Sequence, residues 1–294
     1  MTLQTTHTRT TNLLTRRTWM SLRVRGNWLS VAASAILIAL VLLAVFAPLV
    51  APHDPYAVSL MDSLQAPSAA HWLGTDDAGR DVLSRTIYAA RISLLGPLGV
   101  VLGSAVLGVA IGVVSAWRGG AVDAALSRCV EVLFAFPGVL LAILAVAIFS
   151  SGLGAIVIAL AIAYIPYMAR VTRSVALAER NSLYIQALET QGMPAWQIIL
   201  RHLVPNIMPF VIAQATLCFG YAMIDLAGLS FLGFGVQPPE ADWGAMAAEG
   251  QNALIQGMAL PALVPGAMIV LAVVSFSLLG EGLAERITRR ENAA

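Results

Sequence analysis

Lysine is missing altogether: all 17 basic residues among the 294 are arginine. A P-loop needs a lysine to reach the phosphates, so the chain holds no standard Walker A site and any ATP chemistry belongs to another polypeptide. Charge of either sign is scarce. Charged residues make up 11% of the sequence and hydrophobic residues 59%, with mean hydropathy +0.81. An ordinary globular domain carries about 25% charge to wet its surface, so the main solvent of this chain must be lipid. Only two cysteines occur, Cys129 and Cys218, both at or within apolar segments. They read as buried small hydrophobes and fit neither a disulfide framework nor a metal site. His53, His71 and His202 share no metal-ligand spacing, and no metal site is predicted. A net charge of +1 carries no message about nucleic acid, and none is expected as a partner.

Long apolar runs are what the sequence does have. A helix crossing the hydrocarbon needs about 20 mostly apolar residues, and six stretches qualify: 28–50, 92–117, 130–149, 153–169, 207–236 and 260–279. The third and fourth are separated only by Ser150, Ser151 and Gly152, which predicts a tight helical hairpin. The fifth is longer than a bilayer requires, so it tilts or ends early near Gly233-Phe234-Gly235. The first exceeds the roughly 7–15 residues of a signal-peptide core and reads as an uncleaved anchor. The fold class expected is an all-α integral membrane protein with six transmembrane helices.

Arginine placement sets the orientation. Fourteen arginines fall in the N-terminal tail, after the second and fourth spans, and in the C-terminal tail. Arg80, Arg85 and Arg91 alone fall on the opposite side, whose last loop is acidic with Glu240, Asp242 and Glu249. Both termini are therefore expected in the cytoplasm. The second span carries Gly99-x3-Gly103 and Gly108-x3-Gly112, a spacing that lets helix backbones approach closely in lipid. It serves either a specific dimer or, as the better reading, general packing inside the bundle.

The segment between the fourth and fifth spans is 37 residues long, Arg170 to Asn206, and a long ordered loop in a compact protein usually has a task. It reads as helix over 174–191, a turn at Gly192-Met193-Pro194, and helix over 195–203 ending before Pro205. Proline at Pro194 suits the first turn of the second helix. A short helix across the mouth of a bundle can transmit a push from a soluble partner; an inert surface loop is the alternative.

The residues of that segment resemble a known pattern. Tyr184-Ile-Gln-Ala-Leu-Glu-Thr-Gln-Gly192 followed by Ile198-Ile-Leu-Arg-His-Leu-Val-Pro-Asn206 resembles the EAA loop of ABC importer permeases, in the variant of the dipeptide/oligopeptide/nickel family. Ala187, Gly192 and Pro205 match the pattern. Gln186 stands where glutamate is usual, Leu188 replaces the second alanine, and Val204 replaces leucine. Glu189, on the same helix face as Gln186, is the candidate to stand in for the missing acid. Four further blocks are similar to the family in the same order: Ala47 to Pro55, His71 to Arg85, Leu229 to Pro239 with Trp243-Gly244, and Leu278 to Leu283. The first-span external loop points to the C-type subunit.

The resemblance implies a type I ABC importer permease fold with a cytoplasmic EAA-type coupling helix. The implied layout is a cytoplasmic tail at 1–27, a first transmembrane helix at 28–50 and an external loop with an amphipathic helix at 51–91. A five-helix permease core follows at 92–280, including the coupling loop 170–206 and an external loop 237–257, with a cytoplasmic tail at 281–294. The implied partners are a B-type permease subunit, two ATP-binding-cassette ATPase subunits, an extracytoplasmic substrate-binding protein and the lipid bilayer of a bacterial cytoplasmic membrane. ATP and magnesium would sit on the ATPases, with no cofactor and no catalysis on this chain. Residues expected to couple to the ATPase are Gln186, Ala187, Glu189, Gly192, Arg201, His202 and Pro205. Glu240, Asp242 and Trp243 are expected to contact the binding protein.

Two polar features remain. Residues 76–91 can form an amphipathic helix along the outer surface, with Leu83, Ile87 and Ala90 on one face and Asp77, Asp81 and Arg85 on another. It contacts a binding protein or braces the bundle, while Gly74 and Gly79 read as structural turns. Asp225 lies inside the fifth span, where an acid costs about 2.5–3.5 kcal/mol on insertion scales. It lines the translocation path or packs against the partner permease. The family's usual acid falls one position further on, at Leu226. The competing function is an ion-coupled secondary transporter subunit, which needs convergent intramembrane acids; Asp225 is alone. Cargo is not readable, with dipeptides, longer peptides, nickel chelates and glutathione all passing through similar proteins.

Overall fold

A computed structural model of the chain describes the backbone of residues 11–149 and 152–291, and side chains over 28–148 and 152–285. Residues 1–10 of the N-terminal tail, residues 292–294, and Ser150 and Ser151 of the expected hairpin turn lie outside the described residues. Helices α1 (Thr11–Val45) and α2 (Ala47–Val50) open the chain, followed by an irregular segment with one 3-10 turn at Leu60–Asp62. Then come α3 (Val82–Arg118), α4 (Gly120–Phe134), α5 (Gly138–Phe149), α6 (Leu153–Arg180), α7 (Leu183–Thr190) and α8 (Ala195–Ile198). The last four are α9 (Val204–Phe231), α10 (Trp243–Glu249), α11 (Gln251–Ile255) and α12 (Leu260–Glu291). Among the described residues five helices are long and apolar enough to cross a membrane, and a bent pair makes a sixth. The protein is an all-α, multi-pass membrane protein.

That bent pair corrects the third span. The expected straight helix over 130–149 is instead α4 and α5, which meet at 78°. Pro137 has no N–H to continue the ladder, and the residue before a proline is pushed out of the α region. At 1.5 Å per residue the 12-residue α5 is about 18 Å long, too short to cross alone.

Other spans run on where loops were expected. Helix α3 has 37 residues, about 55 Å, against a hydrocarbon core of about 30 Å. The amphipathic surface helix over 76–91 is therefore corrected: residues 76–81 form a tight turn, and everything from Val82 is the outer end of α3. Gly74 and Gly79 both turn with positive φ. Helix α6 continues to Arg180, and α8 runs into α9 through a π-helical turn at Ile199–Leu203. Pro205 does not end that helix. The π turn realigns the carbonyls around the missing N–H. Only 181–194 truly interrupts the pair, so the expected 170–206 loop shrinks to its middle. Helix α9 ends at Phe231 beside Gly233, the early ending rather than a longer tilt.

Close approach of α3 and α6 forms the centre of the bundle. Gly99, Gly103, Gly108 and Gly112 all face α6; a Cβ on Gly112 would sit 2.8 Å from the Ala169 carbonyl oxygen. Packing within the bundle is thus the use of these glycines. Helices α9 and α12 pair beside them, and α1 lies against both α12 and α3, burying a helical stripe of Ala33, Leu37, Leu40 and Ala44 while Ile38 and Val41 stay exposed. Cys218 is buried, as expected, but Cys129 is exposed on α4, a helix that lies at the edge of the bundle with Val130 as its one buried residue.

Candidate functional site

At one end of the bundle the chain turns back twice within 14 residues. Asn181 caps α6, an extended Ser182 starts α7, and α7 closes with Gln191 N–H donating to the Ala187 carbonyl at 3.0 Å. Gly192 follows at φ +79° with no neighbour near its Cα face, a left-handed turn that favours glycine for its backbone alone. Pro194 is the extended N-cap of α8, one residue ahead of the first-turn position expected for it. Ile185 and Ile198 are fully buried and pin the two short helices to the bundle. Their other faces are bare: Leu183 is 84% exposed, Trp196 63% and Leu200 62%.

Most of the residues expected to couple lie on this open face. Gln186, Ala187, Glu189 and Gly192 are exposed on and just after α7, Arg201 and Pro205 are exposed on the following helix, and His202 is half-buried. Glu189 and Arg201 have no ion-pair partner among the described residues. Gln186 instead donates to the Asn181 carbonyl at 3.2 Å. Residues that sequence reasoning missed join the short helix to its neighbours. The Tyr184 hydroxyl donates to Glu179 Oε1, and Asn206 Nδ2 donates to both Glu179 Oε1 and the Tyr184 oxygen at 2.8 Å. Tyr184 and Asn206 bounded the motif in the sequence, but nothing there showed that Glu179 would meet them.

Just inside this end, α6 is tied to α3 and α4 by charge. Arg173 makes a two-pronged contact with Asp123, 2.6 Å on each prong, and the Ser115 hydroxyl donates to the same carboxylate. Arg180 Nη1 donates to the Ala116 carbonyl at 2.8 Å, and Arg170 lies over the Phe134 ring at 4.1 Å.

The opposite end is built around buried charges. Asp81 caps α3, its Oδ2 accepting from the Ser84 N–H at 2.8 Å and the Ser84 hydroxyl at 2.7 Å. Its Oδ1 meets His71 Nδ1 at 2.9 Å, and His53 Nδ1 lies 3.8 Å from Oδ2. Burial alone would raise this carboxyl; the Ser84 and His71 bonds and the charge of His53 hold it below its ordinary value. His53, His71 and Asp81 thus bring ligand-capable atoms within 4.8 Å of one another, a grouping invisible as sequence spacing. Asp81 Oδ2 is already engaged in capping α3 and Oδ1 is engaged by His71, and capping is the role the geometry gives the cluster. Beside it Arg80 and Arg85 bridge Asp76 to Glu249 of α10, with Arg85 only 2% exposed and its Nη1 2.7 Å from Glu249.

Two residues expected to meet a binding protein are buried here instead. Trp243 is fully buried, its Nε1 donating to the Thr86 carbonyl and its backbone N–H to Ser93 Oγ, both at 2.9 Å. Asp242 is 1% exposed and caps α10 through the Gly244 and Ala245 N–H groups. A tryptophan in an acidic loop reads as solvated only until α3 and α9 are seen to close over it. Glu240 remains exposed.

Within the membrane Asp225 is half-buried and accepts a hydrogen bond at 2.9 Å from the Tyr164 hydroxyl of α6. Leu226 next to it is buried and packs towards Gly96 of α3. The acid therefore sits off the tightest seam, on the α6–α9 side.

Spans of uneven length, one of them broken, with a short exposed helix on two tight joints between two of them, are the architecture of a membrane permease subunit. Comparison with known proteins agrees. Residues 108–292 match the family model described as "Binding-protein-dependent transport system inner membrane component", and residues 14–67 match the "N-terminal TM domain of oligopeptide transport permease C". The chain belongs to this family of ABC transporter permeases. It is 37% identical over 265 residues to the dipeptide transport system permease protein DppC of Alkalihalophilus pseudofirmus, covering 90% of this chain and 87% of that one. It is 37% identical to the glutathione transport system permease protein GsiD of Pectobacterium atrosepticum, covering 88% and 86%. Its fold is similar to that of the inward-facing MetNI methionine ABC transporter, with TM-score 0.57 at 19% identity over 70% of this chain and 97% of that one.

Proposed function

We propose that this chain is the C-type permease half of a peptide importer, working with a B-type permease, two ATPase subunits and an extracytoplasmic binding protein. The exposed face of α7 and α8 carries the reading. Leu183, Trp196 and Leu200 present apolar surface where water alone gives no reason for them, and Glu189 on α7 has no ion-pair partner among the described residues. A groove on an ATPase would cover that face. Both termini and α7 then lie in the cytoplasm, as the fourteen arginines require, and the Asp81 and α10 end faces outward in the bacterial cytoplasmic membrane.

Movement of the ATPases would be carried by α7 into α6 and α9, the two spans it joins. Asp225, which accepts a hydrogen bond from Tyr164 of α6, would line the path as these spans separate. ATP and magnesium belong to the partners, because the lysine-free chain has no phosphate-binding loop. Dipeptides and related small peptides are the cargo class, in keeping with the dipeptide and glutathione permeases among its relatives.

The test is co-expression with the neighbouring transporter genes and purification through this chain. ATPase subunits should co-elute, and peptide-loaded binding protein should stimulate hydrolysis. Purified complex in which Leu183→Cys cross-links to no ATPase subunit would overturn the assignment.

A further inference from the structure

We propose that Glu179, Tyr184 and Asn206 form a positioning latch that makes α7 move as one body with the spans on both sides of it, the Tyr184 hydroxyl being the shared atom. The inference rests on the reading of α7 as the ATPase-facing lever and says how a push on that lever reaches the membrane.

An eight-residue helix on two short joints is a poor lever by itself. Helix α7 has a single buried residue, Ile185, and its joints are Asn181-Ser182 on one side and Gln191 to Pro194 on the other. One anchor leaves a short rod free to swivel about that point. A second fixed point removes the rotation, and the structure supplies it at the start of α7. Glu179 is in the last turn of α6, Tyr184 in the first turn of α7 and Asn206 in the first turn of α9. These three side chains close a ring of three hydrogen bonds, two accepted by Glu179 Oε1 and one by the Tyr184 oxygen. The Tyr184 hydroxyl donates to Glu179 Oε1, one Asn206 amide hydrogen goes to that same oxygen, and the other goes to the Tyr184 oxygen, both at 2.8 Å. The ends of two spans and the lever between them thus meet at one atom.

Chemistry keeps the ring in one state. Burial first, then the bond to Glu179, pushes the Tyr184 hydroxyl up to about 12, so it remains a donor at any cellular pH. Glu179 is the charged member, which strengthens both bonds to it. The site is solvent-exposed, so each bond contributes to geometry more than to stability.

The experiment uses the whole complex in proteoliposomes and measures cargo moved per ATP hydrolysed, with hydrogen exchange at residues 183–190 as a second readout. Tyr184→Phe keeps the ring and removes the shared hydroxyl. Expected are normal co-purification of the ATPase subunits and faster exchange in α7. Cargo per ATP should fall about three- to ten-fold, the population change expected on losing the two solvent-exposed hydrogen bonds that the hydroxyl makes. Asn206→Asp, which sets a second carboxylate against Glu179, should show the same loss. Unchanged cargo per ATP overturns the latch, and so does loss of ATPase co-purification in Tyr184→Phe, which would make the tyrosine part of the grip. If the wild-type complex recruits no ATPase, the lever reading fails. The exchange measurement on this chain then decides the latch alone, with unchanged α7 protection in Tyr184→Phe overturning it.

Discussion

Arg85 is 2% exposed, and its Nη1 touches both Asp76 and Glu249, so its charge holds the irregular 51–81 segment to α10. Removing one member of a buried ion network leaves the others uncompensated, and Arg85→Ala should cost about 3 kcal/mol, the low end of the usual range because Glu249 keeps some exposure. A lower thermal midpoint in detergent checks it; an unchanged midpoint would contradict it. Asp81 makes the same end sensitive to acid. Its folded carboxyl lies below the ordinary 3.8, so its contribution is present above that value and is lost as pH falls through the lowered one. Unfolding midpoints should therefore drop more steeply with acidification in the wild type than in Asp81→Asn, whose amide does not titrate. Asp242 has the opposite sign. Burial raises it, and its contribution declines as pH rises through the raised value.

Helix packing and helix coupling are settled between elements. Gly99, Gly103, Gly108 and Gly112 of α3 admit α6 so closely that Gly112→Val has no room: its Cβ would meet the Ala169 carbonyl and the Arg173 N–H, each at 2.8 Å. Overpacking of this kind costs about 1–3 kcal/mol, read as a lower midpoint, while Gly154→Ala, with open space around it, should be near neutral. On α7, Glu189→Gln should lower binding-protein-stimulated ATPase activity and transport if Glu189 replaces the acid that Gln186 lacks. Unaltered coupling would remove Glu189 from the interface. The spacing of apolar residues showed that helices exist here but not where they stop. It placed breaks at Arg170 and Pro205, whereas α6 runs ten residues further and a π turn carries α8 past the proline. Polarity after a span is compatible with a helix leaving the lipid, and local pattern has no term for that.

For the whole molecule, orientation follows from charge asymmetry and has a clean test because lysine is absent. An introduced lysine is the only side-chain amine in the chain. With Leu183→Lys, an impermeant amine reagent should label the lysine-bearing peptide in inside-out vesicles only; with Glu240→Lys, it should label the lysine-bearing peptide in right-side-out vesicles only. Both positions are exposed at opposite ends of the bundle. The reverse pattern would invert the topology and take the coupling role of α7 with it.

Composition determined that the chain lives in lipid and binds no nucleotide through a standard P-loop, and the placement of its apolar runs determined that it has about six spans, because hydropathy and the absence of lysine are read without coordinates. The motif around 184–206 was equally local, since a short exposed helix and its turn depend on neighbouring residues. Only the tertiary structure decided that Trp243 and Asp242 are core rather than docking surface, that two histidines join Asp81 at a helix cap, and that Glu179, Tyr184 and Asn206 share one point. Each of these depends on residues from 5 to 157 positions apart, and the burial and pairing that give such groups their chemistry exist only after the helices have packed.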